Sequence, residues 1–205
     1  MFIEQPPLLY RLLFPEAMWR LKRHRRRVVY LTFDDGPIPE VTPWVLDLLD
    51  REEVKATFFL VGQNVERHPE LFEEIKRRGH SWGNHTMTHL QGIKVAMSRY
   101  IDDIERADNL IHSSLFRPPH GVMRWSQGRA IKRRYNIVMQ DVVSRDYSRR
   151  LSGEEVFNNI CRYTRDGSII VFHDSLKARE NMMYALPRAI RWLKEQGYEM
   201  LPIPM

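Results

Sequence analysis

Short apolar runs alternate with amphipathic stretches through most of the chain, and the alternation predicts its architecture. Runs with the length and composition of strands cover residues 28–33, 56–61, 80–84, 115–117, 136–142, 168–173 and 198–202. Between them apolar residues recur at helical spacing. One such stretch starts near Pro43 and runs toward Arg51, and others cover 69–78, 96–113, 126–135, 152–164 and 181–196. Gly79 and Gly197 supply stop signals after two of these, and Ser152 with Glu155 fits a capping box. The order is strand then helix throughout, seven strands with six helical stretches between them. Runs such as Ser168-Ile169-Ile170-Val171-Phe172 lack the polar alternation of a half-exposed sheet, so both their faces are buried, as in a parallel sheet under helices. The expected class is α/β, either a barrel or an open doubly wound sheet.

At 205 residues the repeats make one domain with a substantial core, residues 28–205, preceded by an extension over 1–27. The extension changes the charge picture. It carries Arg11, Arg20, Lys22, Arg23, Arg25, Arg26 and Arg27 against Glu4 and Glu16, so it holds +5 of the net +6 and leaves the body nearly balanced. No aromatic platform is interleaved with basic residues, so nucleic acid is not an expected partner. The extension is also apolar in part, with Leu8, Leu9, Leu12, Leu13, Phe14, Trp19 and Leu21. Its expected role is to pack on the domain as a lid or plug, with peripheral membrane contact through residues 1–27, the apolar segment together with the basic cluster of residues 22–27, as the alternative. Glu4, Arg11 and Glu16 interrupt the apolar stretch and the basic cluster follows it, the reverse of a secretory signal, and no run approaches a membrane span. The expected location is cytoplasmic, at the inner membrane face in the membrane-contact reading. The single cysteine, Cys161, reads as a small core side chain.

The chemistry gathers at strand ends. Asp34 and Asp35 follow the first strand, His85 and His89 the third, Arg117 the fourth, Asp146 the fifth and His173 the sixth. In parallel α/β folds the C-terminal strand ends share one face, where catalytic groups collect. Two adjacent carboxylates repel unless a cation lies between them. Two histidines at i and i+4, on a helical turn or in a tight loop, can face one point. One carboxylate and two histidines form a three-ligand set for a catalytic divalent ion, which leaves the second carboxylate to act as a base on water. The residues alone therefore point to metal-assisted hydrolysis. His24, His68, His80 and His112 lack partner spacing and read as structural. Trp82 and Trp125 read either as sugar-stacking floors or as packing residues.

Five motifs stand in one order: Thr-Phe-Asp-Asp-Gly-Pro at 32–37, His-Thr-x-x-His at 85–89, Arg-Pro-Pro-x-Gly at 117–121, Asp-Tyr at 146–147 and Val-Phe-His at 171–173. Over residues 28–203 the chain resembles the polysaccharide deacetylase family, carbohydrate esterase family 4. The resemblance implies a distorted (β/α) barrel of about seven parallel strands with its catalytic face at their C-termini. It implies a metal triad of Asp35, His85 and His89. The ion is usually zinc, with cobalt, nickel or manganese as other choices. It implies Asp34 as the catalytic base, Arg117 as the residue that holds the base, and His173 as the general acid. Asp146 is the implied orienter of His173, with Asp141 as a competing candidate because the family motif often carries two aspartates. His120 stands where the family commonly has Tyr. The backbone N–H there is the implied oxyanion donor, and the imidazole could add a titrating group or a fourth metal contact. Asp174 reads as a loop or capping residue.

The implied function is metal-dependent removal of acetyl from an N-acetylated sugar, in peptidoglycan, a chitin-like oligomer or a glycan precursor. An O-acetyl esterase or small-molecule amidase would use the same groups, and a non-catalytic carbohydrate-binding module is the alternative of another class.

Overall fold

The computed structural model describes residues 4–22 and 26–205. Arg23, His24 and Arg25, read above as part of the basic cluster and as a structural histidine, lie outside the described residues. The helices are α1 (Leu8–Leu13), α2 (Thr42–Arg51), α3 (Gly62–Arg67), α4 (Pro69–Arg77), α5 (Met97–Ile111), α6 (Trp125–Ile131), α7 (Gly153–Tyr163) and α8 (Arg179–Glu195). The strands are β1 (Val28–Asp34), β2 (Thr57–Leu60), β3 (Ser81–Asn84), β4 (Leu115–Phe116), β5 (Asn136–Ile137), β6 (Val142–Val143), β7 (Ile169–His173) and β8 (Glu199–Met200). All pair in parallel, in the order β5-β4-β3-β2-β1-β7-β6, with β8 beside the start of β1. The sheet curls into a half-barrel, which is the distorted (β/α) barrel expected. No helix among the described residues is long and apolar enough to cross a membrane.

One expected strand divides. Residues 136–142 form no single strand: β5 pairs with β4 at one edge and β6 with β7 at the other. The chain between them crosses the open side of the half-barrel. The N-terminal extension fills that opening. Met18 donates its N–H to the Ile137 carbonyl and accepts from Met139, while Arg20 bridges Ser168. A continuous apolar run looks the same whether its ends join one neighbour or two, so periodicity could not reveal the split. Helix α3 also escaped prediction, because six residues before Pro69 are too short to display a helical period.

Central strand β1 is buried along its whole length. Side chains alternate across a strand, so Val29, Leu31 and Phe33 join the cluster that includes residues of α2, α7 and α8, whereas Val28 and Tyr30 face the barrel interior. Thr32 and Asp34 continue the interior parity. On β7 the interior set is Ile169, Val171 and His173, in register with Tyr30, Thr32 and Asp34. Asp34 and His173 thus stand side by side at the barrel mouth on adjacent strands, roughly 4.8 Å apart by strand spacing.

Candidate active site

Beyond β1 the chain turns sharply, and the turn divides the two carboxylates. Asp35 takes a left-handed φ of 83°, a conformation that must be held from outside. The hold comes from Asp174. Its carboxylate accepts the Gly36 N–H at 3.1 Å and the Thr42 hydroxyl at 2.6 Å, and a Cβ on Gly36 would lie 2.0 Å from the same carboxylate. Gly36 is therefore required at this close approach, and Asp174, read from sequence as a loop or capping residue, pins the turn that aims both aspartates.

Asp34 turns inward to Arg117. Arg117 Nη1 lies 2.6 Å from Asp34 Oδ1 and 2.8 Å from the Thr32 hydroxyl, and Nε and Nη2 donate to the carbonyls of Val138 and Met139 at 3.3 Å. The guanidinium also stacks 4.0 Å over Phe59. A fully buried arginine with this many partners is a fixed clamp, and it leaves Asp34 Oδ2 toward the histidines, 3.9 Å from His85 Nε2.

Asp35 faces the two imidazoles. Its Oδ1 lies 3.2 Å from His89 Nε2 and 3.9 Å from His85 Nε2. Burial pushes its pKa up, but the hydrogen bond from His89 and the positive charge of His173 outweigh that and hold it well below the ordinary carboxylate value. His85 Nδ1 lies 2.8 Å from the Arg117 carbonyl. A carbonyl only accepts, so Nδ1 carries the proton and Nε2 presents a lone pair. That Nε2 is buried with no hydrogen-bond partner. Burial pushes the His85 pKa down to about 4, so the imidazole is neutral. Donor atoms of Asp35, His85 and His89 lie within 4.8 Å of one another. An orphaned buried imidazole nitrogen, a second imidazole and a carboxylate at that separation fit a divalent metal such as zinc.

The histidines reach one point through a tight loop, not a helical turn, since Thr86 and His89 take φ of 68° and 54°. Asp103 on α5 holds this loop. Its Oδ2 accepts the N–H groups of Met87 and Thr88 and its Oδ1 the Thr88 hydroxyl, each at 3.0 Å. Sequence reasoning missed Asp103. The available signal was a carboxylate within the apolar stripe of α5, beside Tyr100, Ile104, Ala107 and Ile111.

His173 ends β7 with Nδ1 2.7 Å from Asp146 Oδ1. Asp141, the competing candidate, lies elsewhere: fully buried among Arg11, Arg20, Arg165 and Ser168, it ties the N-terminal extension to the barrel. His120 adopts φ 60° in the 3-10 turn Pro119–Gly121, its ring 4.8 Å from that of His89. The Gly121 N–H is taken by the Pro118 carbonyl.

Asp34, Asp35, His89, His120 and His173 line one open cleft of about 440 Å³, together with Tyr147 and Pro6. The aromatic wall is Tyr147, edge-on to His173. Neither tryptophan lines the cleft. Trp82 donates to the Ile111 carbonyl and packs on Phe72, and Trp125 borders a separate groove. His80 is structural, accepting the Ala56 N–H at Nδ1.

The family model for polysaccharide deacetylase matches residues 22–141. Over 190 residues the chain is 32% identical to a peptidoglycan-N-acetylglucosamine deacetylase of Bacillus cereus, covering 88% of each. It is 32% identical over 199 residues to a chitooligosaccharide deacetylase of Bradyrhizobium sp., covering 87% of this chain and 90% of the relative. The crystal structure of a peptidoglycan N-acetylglucosamine deacetylase in complex with 4-naphthalen-1-yl-N-oxidanyl-benzamide matches with a TM-score of 0.88 at 29% identity, over 97% of this chain and 95% of that one. The span matched by the family model ends at Asp141, so Asp146 and His173 lie beyond it.

Proposed function

The chain belongs to the polysaccharide deacetylase family, and from that membership and the cleft geometry we propose that it hydrolyses the N-acetyl group of N-acetylglucosamine residues in a glycan of peptidoglycan or chitin-oligomer type. Water and the amide are consumed, and acetate and a free amino sugar leave. The observation that carries the reading is the division of labour between adjacent carboxylates: Asp34 is clamped by Arg117, and Asp35 faces two imidazoles.

Asp34 is the base. One of its oxygens is fixed by Arg117, and the other takes a proton from the attacking water at the barrel mouth. The His120 N–H donates to the acetyl oxygen as negative charge develops there. His173, protonated and oriented by Asp146, delivers a proton to the amide nitrogen as the C–N bond breaks. Arg117 and Asp146 are positioning residues that fix the base and the acid on adjacent strands. A divalent ion held by Asp35, His85 and His89, zinc in the first instance, would polarise the carbonyl and acidify the water. The cleft is open and flanked by Tyr147, which suits a segment of a longer glycan better than a small enclosed amide.

The test is acetate release by the zinc-loaded protein from N-acetylglucosamine oligomers and peptidoglycan fragments, with O-acetylated xylan alongside and Asp34→Asn as control. Acetate from the first two and none from the variant is expected. Acetate from xylan alone would replace the amidase reading with an esterase one.

A further inference from the structure

We propose that the catalytic face docks on a membrane surface rich in anionic lipid, through the outward leucines of α1 and the basic residues beside them. The inference does not depend on which acylated sugar the cleft turns over.

Helix α1 is inside out. Leu8, Leu9, Leu12 and Leu13 are 71%, 74%, 64% and 50% exposed. At a spacing of i, i+1, i+4 and i+5 they form one stripe. The inward side is polar: the Tyr10 hydroxyl donates to the Gly121 carbonyl, and Arg11 pairs with buried Asp141. These polar contacts, with the Tyr10 ring packed edge-on against Phe14 and Trp19, hold the helix with its leucine stripe turned to solvent. A run of four exposed leucines calls for a covering surface.

The chemistry beside the stripe is that of a lipid interface. Leu13 borders a groove of about 310 Å³ that also involves Trp125, Arg129 and Lys132, the last ion-paired with Glu16 of the same groove, which leaves Arg129 as its unneutralised cation among the described residues. Trp125 is 55% exposed with the Arg129 guanidinium 4.8 Å over its ring. An amphipathic aromatic ring, long basic stems and exposed leucines are what interfacial segments present to headgroups and acyl chains. The patch also adjoins the cleft, since Pro6, just before α1, and Gly121, bonded to Tyr10, both line it. Two other loops on the same face end in exposed apolar–basic pairs, Ile93 with Lys94 and Leu176 with Lys177. A second copy of the chain would set these like charges against themselves, whereas anionic lipid complements them.

The membrane-contact reading of the sequence joins the leucines to the basic cluster of residues 22–27. Of that cluster, Lys22 packs beside Gly167, just before β7. Arg26 and Arg27 lie at the opposite end of β1 from the cleft, roughly 20 Å away along the strand, and contact Glu199, Gln196 and Tyr198.

The experiment is flotation of the full chain with vesicles of phosphatidylcholine alone or with about one-third phosphatidylglycerol. The expected result is binding several-fold stronger to the anionic vesicles. In Leu9→Ser/Leu12→Ser it falls at least fivefold, and in Lys22→Glu/Arg26→Glu it stays within twofold. Leu176→Ser, on a separate loop, also weakens binding and guards against a local collapse of α1. Acetate release from a soluble oligomer serves as the fold control in each variant. Binding indifferent to phosphatidylglycerol, loss confined to the Lys22/Arg26 variant, or no vesicle binding together with a dimer that the leucine variant dissociates would overturn the proposal.

Discussion

Asp146 holds His173 from two sides: its Oδ1 lies 2.7 Å from the imidazole Nδ1, and its Oδ2 accepts the His173 backbone N–H at 2.8 Å. Burial pushes the imidazole pKa down, but the Asp146 charge and hydrogen bond, with Asp35 and Asp34 beyond, outweigh it and hold the pKa up at about 9. The protonated form is the acid, so turnover should fall as pH rises through about 9. In Asp146→Asn that limb should move down by at least one pH unit, with kcat at neutral pH reduced about 100-fold. The pH profile of kcat, with the His173 imidazole followed by NMR, checks both. An unmoved limb would remove Asp146 from its role. The same shift acts on folding. A pKa raised above the ordinary 6.5 stabilises the fold fully below that pH, and the contribution fades as pH climbs toward about 9.

Asp141 makes the contrasting prediction. Its carboxylate is fully buried between Arg11 and Arg165, with Arg20 at 3.7 Å. Removing the carboxylate leaves Arg11, Arg20 and Arg165 without their shared partner, and because Arg165 is half exposed the cost is about 1–3 kcal/mol. Asp141→Ala should therefore lower the denaturation midpoint and open residues 4–22 to proteolysis while leaving the alkaline limb of kcat in place. A displaced limb would return Asp141 to the acid machinery.

These two aspartates show what the sequence could and could not disclose. The five motifs pointed to Asp34, Asp35, His85, His89, Arg117 and His173, because each sits at a strand end or in the loop just after one, and the hydrophobic pattern already marks those ends. Choosing between Asp141 and Asp146 required knowing where residues 138–141 run. The partner that settles Asp141's place, Arg11, is 130 positions away. The split of residues 136–142 and the packing of residues 4–22 across the half-barrel depend on the same long-range closure, which carries no local period.

Asp103 was unreadable for a related reason, since its partners lie 15 and 16 residues back in an irregular loop. The loop carries His85 and His89 in a conformation that Thr86 and His89 reach only at positive φ. Asp103→Ala removes three hydrogen bonds that enforce it. Zinc affinity should fall 10- to 100-fold, as for other groups that orient metal ligands. Isothermal titration with zinc reads this directly, and unchanged affinity would leave Asp103 with packing alone.

Metal content separates the ligand role from the base role. The wild type and Asp34→Asn should each bind close to one zinc per chain by elemental analysis, whereas His85→Ala, which deletes the orphaned buried nitrogen, should bind far less. Zinc at 100 times its Kd should stabilise the wild type by about 2.7 kcal/mol in thermal unfolding, and a chelator should reverse the gain. Loss of zinc from Asp34→Asn to the extent seen in His85→Ala would place Asp34 among the ligands.

Arg117 tests whether the clamp on the base is a matter of charge or of shape. The guanidinium reaches Asp34, Thr32 and the carbonyls of Val138 and Met139 at once, and its flat face lies on Phe59. A lysine ammonium carries the same charge but is a compact donor on a flexible stem, and it cannot span that set or stack on the ring. Arg117→Lys should keep the fold, because a cation still neutralises Asp34, yet lower kcat about 100-fold with KM changed little, since the base would no longer be held in one geometry. Arg117→Met leaves Asp34 buried without its partner and should destabilise the protein by about 3–5 kcal/mol. A lysine variant with near wild-type kcat would reduce Arg117 to charge compensation, and a loss expressed wholly in KM would move it to substrate binding.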